Sequence, residues 1–189
     1  PALAGVFTKG NMLYGLPLAY DGIKQQKHII LVAGYFDVIS LHQSGITNAV
    51  GVMGTAITEA QIETICKYTK NVLLLLDGDN AGVNAMFKNI GALYKADLNV
   101  AVCVLEGNMD PDALCKSFDF DGHAISSYIK AHTKQGIEFI VNKAVERYEN
   151  IASTERLKAI RTAMPIINSV QNEDVKELYK HTLYKRLDM

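Results

Sequence analysis

Asp77-Gly78-Asp79 and Asp110-Pro111-Asp112 are two pairs of acids, each split by a single residue, and Asp37 is a fifth carboxylate nearby in pattern. All five lie shortly after short apolar runs: HIILV before Asp37, VLLLL before Asp77, and VAVCVL before Asp110. Two acids flanking one glycine cannot both enter a core, because an unpaired buried charge is expensive. They form a solvated turn or they hold a cation, and Asp-Gly-Asp alone is a common turn sequence. A short apolar run bounded by turn residues suits a strand covered on both faces, as in a parallel sheet. The carboxyl ends of such strands all face one side, where open α/β sheets bind ligands. Five carboxylates can therefore converge. Clustered hard oxygens suit Mg²⁺ or Mn²⁺, and two such ions can clamp the attacking and leaving oxygens of a phosphoryl transfer. Asp37 also has a purely structural explanation, since an acid in the first turn of a helix is favoured by the helix dipole.

The elements that would position these acids follow from the periodicity. Residues 1–27 open raggedly, as a cut end with no initiator Met, and pass through a loop carrying Lys9-Gly10 into a weak helix near 16–25, with Pro17 in its first turn. Strands are predicted over 28–32, 48–53, 72–76 and 100–105. Helices are predicted over 35–43, ended by Gly45, then over 58–69 behind a Thr58/Gln61 capping box, and from the Asp-Gly-Asp turn to about 95. Alternating strands and helices of this length predict βαβ units and a mainly parallel sheet. From Gly122 onward the pattern is helical to the end: 123–133, 137–150, 153 to about 170, and 172–187. Ser153 and Asn172 read as N-caps, and Pro165 should end or kink its helix. The expected fold is thus α/β: a mainly parallel sheet flanked by helices, followed by an all-helical subdomain. The expected organisation is a lead-in over 1–27, a sheet domain over 28–120 and the helical unit over 121–189.

Composition narrows the function classes. With 19 Lys plus Arg against 20 Asp plus Glu, the formal charge of the 189 residues is −1, so charge makes no case for nucleic acid or a membrane surface. The apolar fraction of 49% allows a sizeable core. Cys66, Cys103 and Cys115 are odd in number, have no Cys-x-x-Cys spacing and sit in apolar surroundings, which reads as three reduced core residues rather than disulfides or a zinc site. Neither a signal peptide nor a membrane-length apolar run is present in the sequence, so a cytoplasmic setting is expected. The tail cations Lys143, Arg147, Arg156, Lys158 and Arg161 alternate with Glu146, Glu149 and Glu155, the pattern of a solvated helix face.

The order of the blocks GYFDVISLHQSGI, VGVMGTAITEAQ, DGDNAG and a DPD after the next strand resembles the TOPRIM domain of bacterial replicative primases. KGNMLYGL resembles the lead-in of the same enzymes, and the helical tail their helical subdomain, so the resemblance runs from about Phe7 to the end. It implies a piece of a core that synthesises short RNA primers on single-stranded DNA from nucleoside triphosphates, by nucleotidyl transfer dependent on Mg²⁺ or Mn²⁺. In that reading Asp77, Asp79, Asp110 and Asp112 hold the ions, with Asp37 supporting them; these five make up the catalytic set. Lys9 and Gly10 face nucleotide or template, Gly54 and Thr55 form a turn beside the site, and Gly82 lets the following helix approach the sheet edge. The replicative helicase and an upstream zinc-binding domain are the implied partners of the full-length protein; no membrane is.

Three departures matter. The family places Glu at the end of the first strand, within Glu-Gly-Tyr-x-Asp; this chain has Ala33, and a methyl group can neither bind a metal nor move a proton. PALAG does not reproduce the family's upstream stretch. Val83 stands where the family often has Arg or Lys. Two alternatives stay open: a non-catalytic TOPRIM module binding metal or nucleotide, and a TOPRIM nuclease or topoisomerase-like protein.

Overall fold

The structure is a computed structural model that describes residues 9–54, 56–77, 80–107, 109–146 and 153–189, with the side chains of all of these except 9, 76, 80–87 and 153–155. Its centre is a five-stranded sheet in the order β2-β1-β3-β4-β5, formed by β1 (Ile29–Val32), β2 (Ala49–Gly51), β3 (Asn71–Leu76), β4 (Asn99–Val104) and β5 (Thr133–Gln135). The first four strands run parallel, and β3 and β4 pair over six residues, Asn71 opposite Asn99 through Leu76 opposite Val104.

The apolar runs are continuous because both faces of the sheet are covered. Along β3, Val72 and Leu74 belong to one buried cluster while Leu73 and Leu75 belong to the other, as the two-residue period of a strand requires. On the first face lie α1 (Leu16–Gln26), α3 (Glu59–Cys66) and α4 (Asn80–Lys95), with α7 (Gly136–Glu146), α8 (Ser153–Ile167) and α9 (Glu173–Arg186) packed against the same cluster. On the second lie α2 (Tyr35–Gln43), α5 (Pro111–Ser117) and α6 (Gly122–His132). The connection from β1 to β2 uses the second face and those from β2 to β3 and from β3 to β4 use the first. The direction of travel therefore reverses between β1 and β3, the kind of switch point at which α/β sheets open a ligand crevice.

Most expected elements are present, and α2 has the bounds read from sequence. Two differ. The tail is not all helix: β5 pairs antiparallel with β4, Ala101 opposite Gln135 and Cys103 opposite Thr133. Three residues, Thr133-Lys134-Gln135, are too short and too polar to show a strand period, and the free edge of β4 supplies their partners. The segment after β4, for which the sequence predicts no element, forms α5 from Pro111 onward. Residues 147–150 of the expected third-from-last helix lie outside the described residues, as does any capping by the Ser153 side chain. Pro165 lies two residues before the end of α8, and Asn172 caps α9 by accepting from the Val175 N–H. Among the described residues no helix is long and apolar enough to cross a membrane.

Candidate functional site

β1 gives way to Ala33 and Gly34, and α2 starts at Tyr35. The Ala33 carbonyl accepts from the Met53 N–H (3.1 Å), which ties this turn to the end of β2. Gly34 N–H donates to Asp37 Oδ2 at 2.9 Å, so Asp37 closes the first turn of α2 and is buried, only 7% exposed. Burial raises its pKa to about 6 from the usual 3.8. The N–H groups of Gly34 and Asp112 oppose that rise, and the carboxylates of Asp110 and Asp77 add to it. Asp77 and Asp110, from the ends of β3 and β4, are thus each within electrostatic reach of Asp37 at the end of β1, and one oxygen of Asp77 is shielded from solvent.

Asp110 and Asp112 are positioned by α5. Asp110 is its N-cap and accepts from the Ala113 N–H at 2.6 Å, with Pro111 in the first helical position, where the missing N–H costs nothing. Asp112 lies in the first turn; its Oδ1 accepts from the Ser40 hydroxyl and its Oδ2 from Lys116 Nζ, both at 2.5 Å. Lys116 foremost, then Ser40, holds the Asp112 carboxyl below its usual range. Ser40 therefore ties α2 to α5, and the buried Cys115 sits next to this network. Burial pushes the Cys115 thiol up; a side-chain hydrogen bond with Ser44 opposes the rise, and Asp112, Asp37 and Asp110 add to it.

Asp37, Asp77, Asp110 and Asp112 are brought to one side of the molecule, while Asp79 and Thr55 lie outside the described residues. Gly10 belongs to a 3₁₀ turn, Lys9–Asn11, and its carbonyl accepts from the Thr58 hydroxyl at the cap of α3; the Lys9 side chain lies outside the described residues. Gly54 is exposed, one residue past Met53, whose φ is 58°. Gly82 is in the first turn of α4. Among the described residues no three His, Cys, Asp or Glu side chains gather tightly enough to enclose one ion. The reason is local: Asp37 is turned onto Gly34, Asp110 onto its cap, and Asp112 onto Ser40 and Lys116.

Ser40 and Lys116 were not singled out in the sequence as site residues. Their signals are spacing alone, Ser40 three residues after Asp37 and Lys116 four after Asp112, both helix neighbours.

The carboxylates, the strands that carry them and the helices that orient them all fall inside one recognisable unit. Residues 30–115 match the family model described as Toprim-like. This segment is a Toprim-like domain. It runs from β1 to the middle of α5 and so holds every acid of the cluster. The chain is 36% identical over 151 residues to the DNA primase of Aquifex aeolicus (strain VF5), across 80% of this chain and 28% of that protein. It is 32% identical over 164 residues to the DNA primase of Helicobacter pylori (strain 26695), across 87% of this chain and 29% of that one. It thus spans less than a third of the length of these relatives. Among solved structures, the Aquifex aeolicus primase comprising zinc-binding and RNA polymerase domains superposes with a TM-score of 0.79 at 30% identity, over 97% of this chain and 43% of that chain. A DnaG primase catalytic domain bound to single-stranded DNA superposes with a TM-score of 0.80 at 26% identity, over 95% of this chain and 58% of that chain. The Toprim-like domain and the helices after it thus occur together in these relatives.

Proposed function

We propose that the chain is the Toprim and helical part of a DNA primase core, whose parent protein joins nucleoside triphosphates into short RNA primers on a single-stranded DNA template. The observation that carries the reading is the convergence of Asp77 and Asp110, from the carboxyl ends of β3 and β4, on the buried Asp37 at the end of β1. Like charges held together in a half-buried site favour a cation, and an all-carboxylate donor set favours a hard divalent one, Mg²⁺ or Mn²⁺. Asp77, Asp79, Asp110 and Asp112 are the proposed ligands, with Asp37 as a supporting carboxylate. Such ions would neutralise charge on the triphosphate. The chain's own residues do the positioning: Gly34 N–H fixes Asp37, and Ser40 fixes Asp112. Lys116 Nζ already sits on Asp112 as a cation would.

In the same reading residues 1–27 are a lead-in, 28–120 the catalytic unit and 121–189 the helical subdomain. Lys9, Gly10, Gly54, Thr55 and Gly82 border nucleotide or template. The replicative helicase and a zinc-binding domain act through the full-length protein, in the cytoplasm. Ala33 supports a second reading, a module that binds metal or nucleotide without chemistry, because the end of β1 presents only a methyl group there. One experiment separates the two. Ala33→Glu in the full-length parent, assayed for primer synthesis with Mg²⁺ or Mn²⁺, should raise the rate by about 10²–10⁴-fold, the usual worth of a positioned acid–base group. An unchanged rate with intact template binding would favour the non-catalytic module.

A further inference from the structure

Helix α2 packs Val38 and Leu41 into the core of the second sheet face, yet its outer side is unusually apolar. It buries Asp37 and Ser40, which the carboxylate network uses, and exposes Tyr35 at 46%, Phe36 at 63% and Ile39 at 45%. Tyr14 joins this face: its ring meets Tyr35 edge-on at 6.1 Å, and Tyr35 meets Phe36 at 4.8 Å. These rings are held in place. Tyr14 exchanges two backbone hydrogen bonds with Gly51 at the end of β2 (2.8 and 3.0 Å), and Tyr35 and Phe36 lie in the first turn of a helix closed by Asp37. The aromatic face therefore adjoins the carboxylates at the same edge of the sheet. A contiguous apolar patch of this kind marks an interaction surface.

We infer that Tyr14, Tyr35 and Phe36 form a stacking platform for the bases of the single strand that the acid site copies. The inference rests on the proposed function and names a surface that would hold its template. Fixed, exposed rings suit unpaired bases, each of which presents a flat π-face. The chain's net charge of −1 offers little overall attraction to phosphate, so base stacking carries the contact and its salt dependence is shallow. Continuity with the carboxylates selects this occupant: a base on Phe36 lies one residue from Asp37, and its backbone reaches the acid cluster.

The chain contains no Trp, so Phe36→Trp creates a single fluorescent reporter at an exposed position that accepts the larger ring. A matching reporter, Tyr68→Trp, probes the other exposed pair, Tyr20 with Tyr68 at 5.9 Å, which lies at the opposite edge where β3 begins. Each variant is titrated with single-stranded oligothymidylate and with an abasic oligonucleotide of equal length. Saturable quenching of the Phe36→Trp reporter by the base-bearing strand alone, weakened about fivefold or more by Tyr35→Ala, is the expected result. A flat signal, equal quenching by the abasic strand, or equal quenching at position 68 overturns the platform; a flat signal would assign the face to a protein partner. The proposed function fails separately, on the primer-synthesis assay of Ala33→Glu in the parent.

Discussion

Asp37 carries a charge that the fold makes costly. Its pKa stands at about 6 against 3.8 for a free side chain, and burial is the chief cause. The folded chain therefore holds this proton more tightly than the unfolded chain does. Its contribution to stability is fully present below pH 3.8 and is lost as pH rises through about 6. Raising the pKa from 3.8 to about 6 corresponds to roughly 3 kcal/mol. In metal-free buffer, urea unfolding followed from pH 4 to pH 7 should show stability falling across that window by an amount of this order. Asp37→Asn keeps an oxygen for the Gly34 N–H but cannot ionise, so it should flatten the fall and be the more stable protein at pH 7. Equal slopes in both proteins would remove the charge from Asp37. Saturating Mg²⁺ or Mn²⁺ should also flatten the slope in the unaltered chain, because a bound cation stabilises the ionised form that burial disfavours.

Elements were legible where several local signals agreed. Residues 35–43 showed as a helix because Asp37 sits in the first turn and Gly45, at φ 82°, stops the chain from continuing; α3 showed through its Thr58/Gln61 box, which the structure closes in both directions. The acids were legible by type and by strand end, but their orientation was not, since the bonds Asp112 makes to Ser40 and Lys116 depend on how α2 packs on α5. In Asp110-Pro111 the cap-plus-proline start of α5 was available, but Asp110 and Asp112 were weighed as ligands and no helix was assigned after them. Nothing local marks β5, whose three residues are ordered by the edge of β4. Contacts between elements yield a prediction the sequence could not. A Cβ on Gly122 would stand 1.9 Å from the Ser44 carbonyl oxygen, so the start of α6 is pressed onto the end of α2. Gly122→Ala should cost about 1–3 kcal/mol as the helices are forced apart, measured by urea unfolding. Gly45→Ala meets nothing within 4 Å and should cost only the left-handed backbone strain of about 1–2 kcal/mol. A harmless Gly122→Ala would mean that α2 and α6 are free to separate.

At the scale of the molecule, the change in sequence character near residue 120 does not coincide with a break in the core. Ile140 and Ala144 of α7, Ala159 and Ala163 of α8 and Leu183 of α9 belong to the same buried cluster as Leu31, Leu74 and Val102 of the sheet. β5, drawn from the tail, adds hydrogen bonds across the same boundary. A helical unit that shares its core with the sheet should not melt on its own, because exposing α9 also strips cover from α7 and α8 on the sheet face. Leu183 is fully buried, and Leu183→Ala should destabilise the whole chain by about 2–5 kcal/mol, the usual range for truncating a buried leucine. The loss should appear in one transition, with the Phe36→Trp fluorescence beside the acid site and the far-ultraviolet circular dichroism of the helices falling at the same urea concentration. If the helical signal fell first while the fluorescence held, the tail would be an autonomous unit and the acid site would stand without it. Coincident curves would mean that the helices hold the carboxylates in register through the shared core, so that damage in α9 is felt at Asp37.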